Sequence, residues 1–326
     1  MIRKIDFWEG IVMNFIRQAF WPASDESMPA WVSRFIQDVL ARSKLSQIIL
    51  HRSIKNRLRT RNWYARKYLK GRGIEIGAQQ VPTEVSNHCK VEYVDVISNE
   101  QLVTRYGLPG PDLVPLTHVI DGNDLGVYKD GELDFLIANH VLEHFDDPVG
   151  GTIEWLRVLR DGGRLFITLP NFRSNCYDFR RFPARRDHLA VDYRDPLGRA
   201  ERNLKHYEDF AQTLYEWEEE DPRVREQALE WTRADDRHHY HVYDEQTVKD
   251  VLSLVGDVSS IGLKFVNGLL SKDGFEFLVI VEKGQSGGLR GWPTWMEKCM
   301  ATIRSLSINA YVDLKRNLIA RFGSAS

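Results

Sequence analysis

Gly71-Arg72-Gly73-Ile74-Glu75-Ile76-Gly77-Ala78 is the stretch that decides how this chain is read. Arg72 to Ile76 is short, β-branched at two positions and closed by Gly77. That pattern predicts a buried strand running into a tight turn. Gly77 and Ala78 allow the backbone to approach a ligand closely, and Glu75 stands at the strand's C-terminal end, where open α/β sheets bind their ligands. Val91-Glu92-Tyr93-Val94-Asp95-Val96 repeats the design, a second strand ending in an acid. An acid so placed accepts hydrogen bonds from ribose hydroxyls. The pair points to a nucleoside cofactor; the plainer alternative is that Glu75 and Asp95 are solvated strand ends.

Outward from this pair, strands and helices alternate. Leu113 to Ile120 reads as a third strand ending at Asp121-Gly122-Asn123-Asp124, after a helix-poor stretch from Glu100 to Asp112. Leu133 to Ala138 reads as a fourth, running into Asn139-His140. A helix follows from Pro148 to Leu159, with Asp146 or Asp147 as N-cap and Asp161-Gly162-Gly163 as its stop. Arg164 to Leu169 makes a fifth strand. After a polar, aromatic and charged insertion over 171–243 come a helix from Glu245 to Leu254 and two antiparallel strands, Ile261 to Val266 and Phe275 to Val281. The expected fold is α/β: a Rossmann-like, doubly wound sheet of seven strands, the last antiparallel. Residues 1–70 read as a helical N-terminal extension, 71–283 as the domain, and 284–326 as a linker and an amphipathic C-terminal helix.

The chain has 326 residues, 43% of them hydrophobic and 28% charged, which is the composition of an ordinary folded protein. A net charge of −2 gives no overall pull toward nucleic acid. The basic block from Arg52 to Arg72 and the acidic one from Glu216 to Asp221 are read as solvated helix faces. Cys89, Cys176 and Cys299 lie far apart and suggest neither a disulfide framework nor a zinc ribbon, so a reducing, cytoplasmic setting is expected. Asp6 and Glu9 interrupt any signal-peptide pattern, and no apolar run reaches the length of a membrane span.

In order and spacing these motifs resemble the class I S-adenosylmethionine-dependent methyltransferases, within them the group associated with glycan and polysaccharide biosynthesis. The resemblance covers Gly73 to about Glu282. It rests on Glu75-Ile-Gly-Ala78, on Tyr93-Val-Asp95 and on Asp121-Gly-Asn-Asp-Leu125. It continues through Asp134 to His144 with Asp147-Pro148, and through Trp155 to Leu165. Gln79-Gln80 departs from it, standing where many relatives carry further glycines. The resemblance implies S-adenosylmethionine as cofactor. Glu75 would hold the amino end of its methionine part with the Gly77 and Ala78 backbone alongside, and Asp95 would take the ribose hydroxyls. Asp121 and Gly122 would flank the adenine, and Asn139 and His140 would close the pocket beside the methionine. It further implies a saccharide or glycolipid-type acceptor.

Three other constellations carry chemistry. His140-Val-Leu-Glu143-His144 spells a zinc-protease motif, but it follows a strand end and precedes Phe-Asp-Asp-Pro, which is the wrong context. His238, His239 and His241 could be metal ligands, yet a general base for O-methylation is the better reading. His241 is the leading candidate base, with His239 beside it and His144 in reserve; a structural role for each stays open, and no metal site is assigned. Arg180, Arg181, Arg185 and Arg186 could grip an anionic or sugar-rich acceptor or be solvated loop charges. A non-catalytic, scaffolding member of the same fold is the alternative to an enzyme. The apolar stripes of 5–20 and 292–322, with their tryptophans, either lie on an anionic membrane surface or pack together, including across a homo-oligomer.

Overall fold

The computed structural model describes residues 44–106, 110–172, 178, 181–215, 217–285 and 287–293. The chain divides into two compact units, one of residues 56–173 with 177–292, the other of residues 1–55, 174–176 and 293–326. The elements that matter below belong to the first. The expected stripes at the two termini lie outside the described residues, apart from Trp292, whose ring packs 5.1 Å from that of Phe265. Among the described residues no helix is long and apolar enough to cross a membrane.

The strands are β1 (Arg72–Ile76), β2 (Lys90–Asp95), β3 (His118–Val119), β4 (Leu133–Asn139), β5 (Leu159–Pro170), β6 (Gly262–Leu270), β7 (Glu276–Gly284) and β8 (Leu289–Arg290). They form one sheet in the order β3-β2-β1-β4-β5-β7-β6-β8. Strands β1 to β5 run parallel, and β7 runs antiparallel to both β5 and β6. The sheet therefore has eight strands rather than the expected seven. The extra one is a two-residue pairing of Leu289 and Arg290 alongside β6, in a stretch whose glycines suggested a flexible linker.

The helices are α1 (Lys44–Tyr68), α2 (Asn99–Tyr106), α3 (Pro148–Val158), α4 (Arg186–Arg194), α5 (Arg199–Tyr215), α6 (Pro222–Ala234) and α7 (Glu245–Ser259). Alternation along β4 explains why helices cover both faces. Leu136 and Ala138 join the core with Trp155 of α3 and Leu252 of α7, while Phe135 and Ile137 pack with Ala65 and Leu69 of α1. Gly73 of β1 is required here, because a Cβ on it would sit 2.3 Å from the Phe135 carbonyl oxygen and 2.4 Å from its ring.

Several boundaries differ from the expectation. Helix α2 occupies much of the stretch read as helix-poor, since the breakers Pro109, Gly110 and Pro111 all fall after its last turn. The third strand shrinks to His118–Val119. Helix α3 is capped as expected, Asp147 Oδ1 accepting from Gly150 N–H at 2.8 Å with Pro148 in the first turn. It ends at Val158 without the glycines, which lie inside β5. The Lys283 ammonium takes over, donating to the Leu156 and Leu159 carbonyls at 2.7 and 2.6 Å.

The insertion is mostly helical. α5 and α6 close on a small core of their own, built from Tyr207, Phe210, Ala211, Val224, Ala228 and Trp231. It leaves and rejoins the sheet at one place: Asn171 and Tyr243 form a parallel bridge, and Phe172 N–H donates to the Tyr243 carbonyl at 3.1 Å.

Candidate active site

The parallel register of β1, β2 and β4 brings Glu75, Asp95 and Asn139 to one edge of the sheet. Glu75 is fully buried. Thr83 donates to it through both its backbone N–H (2.9 Å) and its hydroxyl (2.8 Å), and Asn139 Nδ2 adds a third donor at 2.9 Å. Burial raises its pKa against these donors. The carboxylate thereby pins the turn after β1. Gly77 N–H bonds to the Val94 carbonyl, and Val81 N–H to that of Ala78, both at 2.9 Å. Gly77 takes φ +69°, and Gln79, where a glycine was expected, takes φ +49°. The turn thus adopts the left-handed backbone that glycine supplies freely, with a glutamine instead.

Asp95 presents the opposite situation. Its Oδ1 accepts from Ile97 N–H at 3.1 Å, while Oδ2 is buried with no hydrogen-bond partner. Burial raises its pKa. An orphaned carboxylate oxygen at this strand end fits a ligand that brings hydroxyl donors, which is what a ribose has. Asp121 is held by Asn123 N–H at 2.9 Å and by Arg237 at 2.6 Å. Burial would raise its pKa, but the Arg237 hydrogen bond and charge bring it below the usual carboxylate range. Gly122 sits under the Phe145 ring, 3.1 Å from a would-be Cβ, and its carbonyl accepts from the Trp155 indole at 2.9 Å.

His140 follows β4 with φ +55°, a left-handed conformation rare for its type. Its ring bridges two buried glutamates, with Nε2 2.9 Å from Glu276 and Nδ1 3.4 Å from Glu143. Burial opposes a charge on the ring, but the two carboxylates carry its pKa above the ordinary histidine value. Glu276 is in turn clasped by both arms of Arg61 from α1. Its charge is costly to bury, yet Arg61 and His140 hold it well below the usual range. Glu143 is wholly buried, and neither of its oxygens has a well-formed hydrogen bond. The Arg61–Glu276–His140–Glu143 succession alternates in sign across the end of β4.

Two of the candidate bases, His144 and His239, lie with Glu143. His239 Nδ1 is 2.7 Å from Asp178 Oδ2, and its ring lies 4.8 Å from that of His144. Burial works against a charge on His239, but Asp178, through its charge and its hydrogen bond, raises its pKa. His144 Nδ1 donates to the Arg237 carbonyl at 2.9 Å, and burial with the neighbouring His239 lowers its pKa to about 4. His241 is placed apart from this pair. Its side chain is entirely enclosed, with Nδ1 on the Phe145 carbonyl (3.1 Å) and Nε2 on Asp192 (2.9 Å).

Residues 73–167, the β1 to β5 segment, match a family model described as "Methyltransferase domain". This chain is an S-adenosylmethionine-dependent methyltransferase. Solved structures similar to the methyltransferase include the 1,6-didemethyltoxoflavin-N1-methyltransferase of Burkholderia thailandensis. It is 11% identical, with 81% of this chain and 93% of that one covered and a TM-score of 0.39. A histamine N-methyltransferase candidate from Thermotoga maritima is 18% identical, covering 73% and 96%, with a TM-score of 0.37. At these scores neither bears on what this methyltransferase acts upon. No curated protein matched the chain in sequence.

Of the arginines singled out from the sequence, Arg180 lies outside the described residues and the other three are engaged structurally. Arg181 is buried and donates to the His239 and Tyr240 carbonyls, both at 2.8 Å. Arg185 pairs with Asp244, and Arg186 with Asp257. Arg181 is therefore a clamp that fixes the backbone bearing His239. Thr83, Asp178, Glu276 and Arg61 escaped the sequence reading. A threonine in a turn or an arginine in a basic helix carries no local signal, whereas a glutamate heading the apolar run Phe277 to Val281 could have been flagged as an acid at a strand end.

Proposed function

We propose that this methyltransferase modifies an oxygen of a saccharide or glycan-type acceptor, with His239 taking the hydroxyl proton. The observation that carries the reading is the Asp178–His239 pair beside the C-terminal end of β4. Asp178 fixes the tautomer in which Nδ1 carries the proton, which makes Nε2 the basic nitrogen. A hydroxyl is a poor nucleophile until its proton is removed, so a histidine of raised pKa suits it. His144 stands second, since it is neutral at ordinary pH. His241 stands third, because its enclosure leaves no side open to an acceptor.

The bound cofactor supplies an electrophilic methyl group on a sulfonium. Asp95 would receive the ribose hydroxyls at its unpaired Oδ2, and the turn at Gly77 and Ala78 would lie against the methionine part. Glu75 acts at one remove, by holding Thr83 and Asn139 in place. Asp121 and Gly122 would flank the adenine, and Asn139 and His140 would border the methionine. The saccharide class draws support from the resemblance to glycan-associated methyltransferases. A second support is the exposed Tyr215 ring stacked 4.4 Å from Trp217 in the insertion, an aromatic face of the kind that sugar rings lie against.

The test is transfer from isotopically labelled S-adenosylmethionine to a panel of saccharides, phenols, amines and carboxylates, with the product bond assigned by NMR. An O-methyl sugar is expected; transfer confined to nitrogen or carbon acceptors would overturn the reading.

A further inference from the structure

We propose that His188, Asp192, His206 and His241 bind a divalent transition metal, with zinc the ion that best fits three imidazoles and one carboxylate. Each contributes one donor atom, and these atoms all lie within 4.8 Å of one another. His188 Nε2 and His241 Nε2 converge on the same oxygen, Asp192 Oδ2, at 3.2 and 2.9 Å. The His206 ring closes the group, 4.7 Å from that of His241 and 5.0 Å from that of His188. In a tetrahedral zinc site with bonds of about 2.0–2.1 Å, neighbouring donor atoms stand roughly 3.3 Å apart.

The surroundings orient the donors as metal sites do. His241 Nδ1 meets a backbone carbonyl, that of Phe145, to which it can only donate. Its other nitrogen, Nε2, faces Asp192 Oδ2, so a cation held between the two would be ligated by both. Asp192 is held from behind by Arg202 Nε on Oδ1 at 2.9 Å, which leaves Oδ2 for the cluster. The His188 side chain is 45% exposed and gives the ion a way in.

The four residues come from three places: one turn of α4, the middle of α5, and the segment leading into α7. A bound ion would fasten these together and so set the position of His239, two residues before His241. This role is separate from proton removal and stands whether or not the acceptor is a saccharide.

The experiment is metal analysis of the purified full chain, followed by chelation and titration with zinc or cobalt(II). One equivalent of metal is expected, with the visible absorption of tetrahedral cobalt(II) and a melting temperature that rises on zinc addition. His188→Ala, at a half-exposed position, should still fold and should lose affinity by more than about 100-fold, beyond the usual loss from a supporting residue. His144→Ala should keep the metal. A chain that takes up no stoichiometric metal would overturn the proposal, leaving a histidine cluster paired to Asp192. So would metal lost by His144→Ala but kept by His188→Ala, since the ion would then sit with Glu143, His144 and His239.

Discussion

His239 Nδ1 lies 2.7 Å from Asp178 Oδ2, across sixty-one residues of sequence. The contact sets both the tautomer and the basicity of the ring. His239→Ala should lower turnover by about 100-fold or more while S-adenosylhomocysteine affinity is retained. The raised pKa means that the base form is lost at a higher pH than for a free histidine, so the acidic limb of the rate profile lies above 6.5. Asp178→Asn should move that limb to lower pH and reduce the plateau. A limb that does not move would assign proton removal to another group.

Asp95→Ala should weaken S-adenosylhomocysteine binding by more than tenfold with the fold intact, because the ribose loses its charged acceptor. Calorimetry on the folded variant checks this. Equal affinity in both proteins would remove the ribose from Asp95.

Arg61→Ala leaves Glu276 buried beside His140 without its main partner. Breaking a buried pair on one side costs about 3–5 kcal/mol, and Arg61 and Glu276 are 13% and 3% exposed. Denaturant unfolding should show a loss of that order, partly recovered in Arg61→Leu combined with Glu276→Leu. A loss below about 1 kcal/mol would place the pair among ordinary surface bridges.

His238 stacks on Phe210 at 4.9 Å, and burial lowers its pKa from 6.5 to about 4. Unfolded, the ring takes a proton below about 6.5; folded, it does so only near 4. Its contribution to stability is therefore present above that range and is lost as the pH falls through it. His238→Phe keeps the stacking and removes the proton, so its melting temperature should decline less between pH 7 and pH 5 than that of the parent. Parallel declines would mean that His238 is not one of the acid-sensitive groups.

The strands that bring Glu75, Asp95 and Asn139 together were readable because each is a short apolar run stopped by an acid, an asparagine or a glycine. Glu75, Asp95 and Asn139 fall in β1, β2 and β4 as expected, since parallel pairing needs only that local pattern. The insertion was opaque for the opposite reason. Its helices α4, α5 and α6 are polar along most of their length, and Tyr207, Phe210 and Trp231 become a core only by meeting each other. His188 and Asp192 stand four apart, a spacing that puts both on one helix face, but nothing local announces that His206 and His241 join them. Arg61 was hidden in a basic run. Only the distant Glu276 distinguishes it from its solvated neighbours.

The bridge between Asn171 and Tyr243 gives the long excursion a single doorway. A segment whose two ends already touch adds little strain to the frame it leaves, and its length can change with only a slow growth in closure entropy. The first helix beyond that doorway is tied back to the frame, since Leu189 of α4 packs in the main core and Arg185 pairs with Asp244 at the start of α7. A change of length would therefore be absorbed most readily beyond α4, in the α5–α6 pair that carries its own small core.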